Sequence, residues 1–221
     1  MNLPVLAQSP KWIAIDKPAG VSVHNEANDV LHLLHRQLDM PLDKLHLVHR
    51  LDKETSGVLL VAKDVSTAAK MAEQFQSHQT EKIYYAVLRG SLPISSDWLE
   101  WNQPLSDKAE GRKNPQGMSK DRVPAQTQYR ITEANQYFSL AEVRLLTGRQ
   151  HQIRKHTALA KHAILGDSRY GEPKYNERMA GIYQTSRMFL HAAKLSIVFE
   201  GATLNFAAPL PQEFSKLIRG N

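Results

Sequence analysis

The residues richest in chemistry lie together in His46-Leu47-Val48-His49-Arg50-Leu51-Asp52-Lys53-Glu54-Thr55-Ser56-Gly57. The stretch sits between apolar segments, and a loop carried on a rigid sheet is a common place for reactive groups. Asp52 is its candidate carboxylate for nucleophilic or general-base work. The same letters also describe a solvated turn in which Asp52, Thr55 and Ser56 satisfy nearby backbone groups. Spacing alone does not choose between the two. A carboxylate glycosidase would need a second working acid, and none stands out. His46 and His49 are three apart and His151 and His156 five apart, with no HExxH, so the histidines make no strong metal site and metal catalysis is not expected. Cysteine is absent, which excludes disulfides, Cys-ligated zinc, iron–sulfur clusters and thiol nucleophiles.

Several elements must position these groups. Trp12 to Asp16 reads as a strand closed by the Lys17-Pro18-Ala19-Gly20 turn. Asn28 and Asp29 are candidate caps for a helix reaching about Leu38. Gly57 to Ala62 is short and apolar enough for a buried strand. Asp64 or Ser66 then caps a helix whose Ala68, Met71, Ala72 and Phe75 repeat at helical spacing. Ile83 to Leu88 is a further strand, Ala125 to Ile131 and Tyr137 to Leu146 a strand pair, and Gln152 to Lys161 a helix. Phe189 to Phe199 and Ala202 to Phe206 form a hairpin turning at Glu200-Gly201. Between Ser106 and Pro124 the chain turns polar and rich in Gly and Pro, as expected of an exposed, mobile loop. It carries Lys108, Arg112, Lys113, Lys120 and Arg122 against Asp107, Glu110 and Asp121. The irregular order of strands and helices predicts an α+β fold, and no linker divides the 221 residues, so a single domain over 1–221 is expected.

A net charge of +6 favours a polyanionic partner. Neither a secretory signal nor an apolar run long enough to span a membrane is evident, which points to a cytoplasmic protein with no membrane partner.

His49-Arg50-Leu51-Asp52-Lys53-Glu54-Thr55-Ser56-Gly57 resembles the catalytic signature of RluA-type RNA pseudouridine synthases. Ile15-Asp16-Lys17-Pro18-Ala19-Gly20 with Val23-His24 resembles that family's first strand and turn. Lys82, Tyr84, Ala86 and Gly90 match its lysine-x-tyrosine strand, and Gly148-Arg149-Gln150-His151-Gln152-Ile153-Arg154 with His156 its third motif. Ile164-Leu165-Gly166-Asp167, Tyr170-Gly171 and Phe189-Leu190-His191-Ala192 complete six matches in chain order. The resemblance implies a mixed, mainly antiparallel central sheet flanked by helices and loops, with a cleft across its middle. It implies an isomerase that needs no cofactor and no metal, acting as a monomer on structured RNA, a ribosomal RNA or tRNA stem-loop. Asp52 is implied as the catalytic carboxylate, Arg154 as its partner and Tyr84 as the ring against the target base. Arg50 is implied to enter the RNA and hold the flipped base out. His49, Arg149 and His151 fall to RNA contact, with His49 and His151 otherwise scaffold. Some relatives carry an RNA-binding domain ahead of the catalytic one. About eleven residues precede the first motif here, so recognition is expected from the catalytic domain.

Overall fold

The computed structural model describes residues 1–77 and 79–220. In chain order the strands and helices are β1 (Val5–Gln8), β2 (Trp12–Lys17), α1 (Val30–Leu38), β3 (His46–Leu47), β4 (Ser56–Ala62), α2 (Val65–Gln76) and β5 (Glu81–Arg89). There follow β6 (Leu99–Trp101), β7 (Leu105–Ser106), β8 (Arg122–Val123), β9 (Thr127–Ala134), β10 (Phe138–Leu145) and α3 (Gln152–Leu159). The chain ends with α4 (Pro173–Tyr183), β11 (Leu190–Phe199), β12 (Ala202–Ala207) and α5 (Gln212–Arg219). Two compact units form: Met1–Lys82 with His191–Pro209, and Ile83–Leu190 with the chain from Leu210 onward.

In the first unit β4 is the strand buried along its whole length. Its run Ser-Gly-Val-Leu-Leu-Val-Ala has no polar face to show water, as expected of a strand covered on both sides. β2 lies antiparallel along one edge of β4, and β1 lies outside β2. The other edge of β4 pairs in parallel with β11 at Ser56 and Gly57, and antiparallel with β3 at Val61 and Ala62. The parallel contact explains Gly57. Its φ is +112°, and a Cβ there would lie 2.2 Å from the Ala192 carbonyl oxygen, so only glycine fits. α1 and α2 open where their caps stand. The Asp29 side chain accepts from the His32 amide, and the Asp64 side chain from the Thr67 amide. β11 turns into β12 through Glu200 and Gly201, both at positive φ, the two-residue hairpin geometry.

In the second unit β5, β10, β9 and β6 form an antiparallel sheet in that order. Phe138, Leu140, Val143, Ile153, Phe189 and Phe214 belong to its core. α4 opens at Pro173, where the missing amide proton costs nothing.

Residues 106–124 are mostly exposed, as expected, and paired at their base. β7 and β8 pair at Leu105–Val123 and Ser106–Arg122. The fully buried Lys155 donates its ammonium to the carbonyls of Ser106 and Lys108, each at 2.7 Å. Arg169 adds bonds to the carbonyls of Ala109 and Glu110. The tip is polar because it faces water; the base is fastened by charges no periodicity reveals.

Candidate active site

In the first unit Asp52 is half-buried on the turn that feeds β4. Its carbonyl accepts from the Thr55 amide at 3.0 Å. The next carbonyl, of Lys53, accepts from the Gly20 amide at 2.8 Å and from the Lys17 ammonium at 3.0 Å. Lys17 has no exposed surface, and its ammonium also reaches the carbonyls of Pro18 and Val21, at 2.9 and 2.8 Å. The buried cation therefore ties the Lys-Pro-Ala-Gly turn to the Asp52 turn, two segments 36 positions apart. Further along, Ser56 Oγ and His191 Nδ1 lie 2.9 Å apart, both buried. Three of the six sequence matches thus meet around one rigid strand start.

Arg50 is exposed beside this turn. His49 faces inward. Its Nε2 accepts from the Leu60 amide at 3.0 Å, and its ring stacks on Phe75 at 4.6 Å. Accepting at Nε2 places the proton of the neutral ring on Nδ1. Burial, with a smaller push from the Lys82 charge, lowers the imidazole pKa from 6.5 to about 3. Folding therefore favours the neutral ring. The stabilisation is complete above pH 6.5 and is lost as pH falls toward 3, with a slope of at most about 1.4 kcal/mol per pH unit. His49→Gln retains an acceptor for Leu60 and is expected to remove that slope. Denaturant unfolding at neutral and mildly acidic pH checks this, and equal acid sensitivity in both proteins would contradict it.

In the second unit Tyr84 and Tyr85 alternate across β5. Tyr84 opposes Val143, and Tyr85 opposes Glu142, which itself opposes Arg130. Burial and the Glu142 charge raise the Tyr85 pKa. The Tyr84 face also carries Thr127, in register with Leu145. Thr127 Oγ1 receives the Gln152 amide at 2.8 Å and lies 2.8 Å from His156 Nδ1. α3 therefore packs on the face that holds Tyr84. His156 Nε2 lies 2.9 Å from the Gln103 carbonyl, so both its nitrogens serve the scaffold. Among the described residues no group of three or more His, Cys, Asp or Glu is placed to hold a metal ion.

Arg154, 3% exposed on α3, presents Nε and Nη2 to Asp167 Oδ2 and Oδ1 at 2.8 and 2.9 Å. That edge of the guanidinium goes to a carboxylate for which sequence reading had no role. His151, which opens α3 at φ +56°, lies 3.0 Å through Nδ1 from the Tyr170 hydroxyl. Arg149 Nε donates to the Pro124 carbonyl at 3.1 Å, joining the base of the 106–124 loop to the start of α3. Lys17, Lys155, Asp167 and Tyr170 are the supports that sequence reading missed. Lys17, Asp167 and Tyr170 stand inside matched motifs, but only geometry shows what they hold.

A sequence model described as RNA pseudouridylate synthase matches residues 11–159, a span that includes Asp52, Tyr84 and Arg154. The chain belongs to the RNA pseudouridylate synthase family. These enzymes are isomerases that convert uridine to pseudouridine. The ribosomal large subunit pseudouridine synthase C of Pasteurella multocida is 34% identical over 221 residues, 97% of this chain and 66% of the relative. This chain thus spans slightly less than two thirds of that protein. The tRNA pseudouridine synthase C of Salmonella typhi is 31% identical over 237 residues, 98% of this chain and 88% of the relative. Among solved structures, human RNA Pseudouridylate Synthase Domain Containing 4 gives a TM-score of 0.77 at 28% identity, over 96% of this chain and 90% of that one. Human RNA Pseudouridylate Synthase Domain Containing 1 gives 0.77 at 24% identity, over 94% and 83%, a likeness of fold. The expected α+β synthase fold, mainly antiparallel, is the one found. Among the described residues no helix is long and apolar enough to cross a membrane.

Proposed function

We propose that this protein isomerises particular uridines in structured RNA, ribosomal RNA or tRNA, to pseudouridine, with Asp52 as the reacting carboxylate. The observation that carries the reading is that one family match spans residues 11–159, a stretch that includes Asp52, Tyr84 and Arg154. The fastened turn beneath Asp52 supports it, because a reacting carboxylate must be held in one geometry.

The chemistry balances without a donor. The bond from ribose C1′ to uracil N1 breaks, a bond from C1′ to C5 forms, and the C5 proton leaves to water as N1 gains one. Uridine and pseudouridine are isomers, so no redox partner or transferred group enters. An ionised Asp52 acts as a nucleophile or takes a ribose proton. By resemblance Arg154 is the guanidinium that pairs with that carboxylate and orients it. Tyr84 lies against the base, with its hydroxyl at the late proton transfer. The target uridine must leave its stack, at a cost of a few kcal/mol that is least in a loop. Arg50 holds it out, anchored through its inward-facing neighbour His49. Arg149 and His151, at the start of α3, take RNA contacts.

Incubation with tRNA and ribosomal RNA tritiated at uracil C5 tests the proposal. Tritium should appear in water, undiminished by a chelator and without added nucleotide. Absence of release across both RNA classes would refute it.

A further inference from the structure

We infer that the Asp167–Tyr170 turn positions two site residues at once: Asp167 orients Arg154 for the reaction, and Tyr170 orients His151 for RNA. The inference rests on the functional reading above for the roles of Arg154 and His151. The device lies wholly in the second unit.

The turn itself is over-determined. Gly166 adopts φ +77°, and a Cβ there would come 2.0 Å from the Arg187 carbonyl oxygen. The Asp167 carbonyl accepts from the Gly171 amide and from Asn176 Nδ2, each at 2.9 Å, while Asn176 Oδ1 receives the Gly166 amide at 3.2 Å. Asp167 Oδ1 accepts the amides of Arg169 and Tyr170, both at 2.9 Å. The carboxylate is thus fixed before it meets Arg154, and it grips the guanidinium by its Nε and Nη2 edge. Both side chains are buried, Arg154 to 3% and Asp167 to 0% exposure. A planar fork clamped on one edge has little rotational freedom, so its Nη1 edge points one way.

Tyr170 completes the arrangement. It is 2% exposed, its ring lies 5.4 Å from the Arg154 guanidinium carbon, and its hydroxyl lies 3.0 Å from His151 Nδ1. His151 stands at φ +56°, a conformation a non-glycine residue keeps only where its surroundings hold it. Packing alone does not account for the ion pair. A buried pair contributes little net stability over apolar residues of the same volume, so α3 and the turn could pack as well without charges. Charges are needed where the direction of a guanidinium matters.

The two limbs separate in kinetics. In the tritium-release assay Asp167→Asn should lower kcat about 100-fold with KM little changed, and the double variant with Arg154→Lys should be no slower than Arg154→Lys alone. Tyr170→Phe keeps the ring and should raise the Kd for RNA about tenfold with kcat nearly unchanged, and should add nothing in a His151→Ala background. Wild-type kcat in a folded Asp167→Asn, or additive effects in both cycles, would overturn the inference. If Asp167→Asn melts below the assay temperature, Arg154→Lys decides: it keeps the cation but loses the fork, and a wild-type rate would overturn the claim. Asp52→Asn run alongside separates the two levels: activity there refutes the catalytic reading and leaves the Asp167 result standing. If the wild type releases no tritium, RNA affinity alone decides, and Tyr170→Phe must still bind about tenfold more weakly.

Discussion

Asp52→Asn is expected to lower tritium release from C5-labelled RNA by at least about 10³-fold, the scale on which enzymes lose rate when a reacting group is removed. Asn has almost the shape of Asp, so the turn closed by the Asp52 carbonyl and the Thr55 amide is retained. What goes is the negative charge, and with it both a nucleophile and a base. RNA affinity should stay the same or rise slightly, because an anion facing a polyanion is removed. Single-turnover release and filter binding measure the two effects separately. A variant that turns over at the wild-type rate would remove Asp52 from the mechanism. One that merely binds RNA more weakly would make it a recognition residue.

Lys17→Met is expected to be the most damaging change to the scaffold. The fully buried ammonium serves the carbonyls of Pro18, Val21 and Lys53. Methionine fills the volume and offers no donor. The Pro18 and Val21 carbonyls lose this donor while the Lys53 carbonyl keeps the Gly20 amide; a buried carbonyl without a partner costs about 1–3 kcal/mol, and removing the burial cost of an ammonium offsets part of that sum. A net loss of about 3 kcal/mol lowers Tm by roughly 6–12 °C for a chain of this size. The Lys53 carbonyl adjoins Asp52, so tritium release should also slow about tenfold at temperatures where the variant is folded. Calorimetry together with the release assay checks both. A melting temperature within about 2 °C of wild type would contradict the role assigned to Lys17.

How much of this was legible in the letters depended on the kind of force involved. β4 was readable because seven consecutive residues are buried and apolar runs announce themselves. α1 and α2 were readable because Asp29 and Asp64 cap them through local bonds. The β11–β12 hairpin was readable from Glu200-Gly201. The partners of buried charges were not. Asp167 meets Arg154 thirteen positions away, and Lys155 reaches back to Ser106 across 49; nothing in local pattern marks such pairs. Lys17 reads as the first residue of a turn, whereas it ends β2 with no exposed surface. The 106–124 segment is mostly exposed, as its polar composition suggests, but that composition hides the buried ammonium that fastens its base. Motif resemblance singled out Asp52, Tyr84 and Arg154; it gave no account of the buried Lys17 and Asp167 beside them.

The most direct measurement is a transcriptome-wide pseudouridine map from cells carrying the wild-type gene and cells carrying Asp52→Asn at the same locus, with equal protein levels. The wild type should show at least one pseudouridine, in a ribosomal RNA or tRNA loop, that is uridine in the variant. Identical maps would contradict the assignment of this chain as an Asp52-dependent synthase.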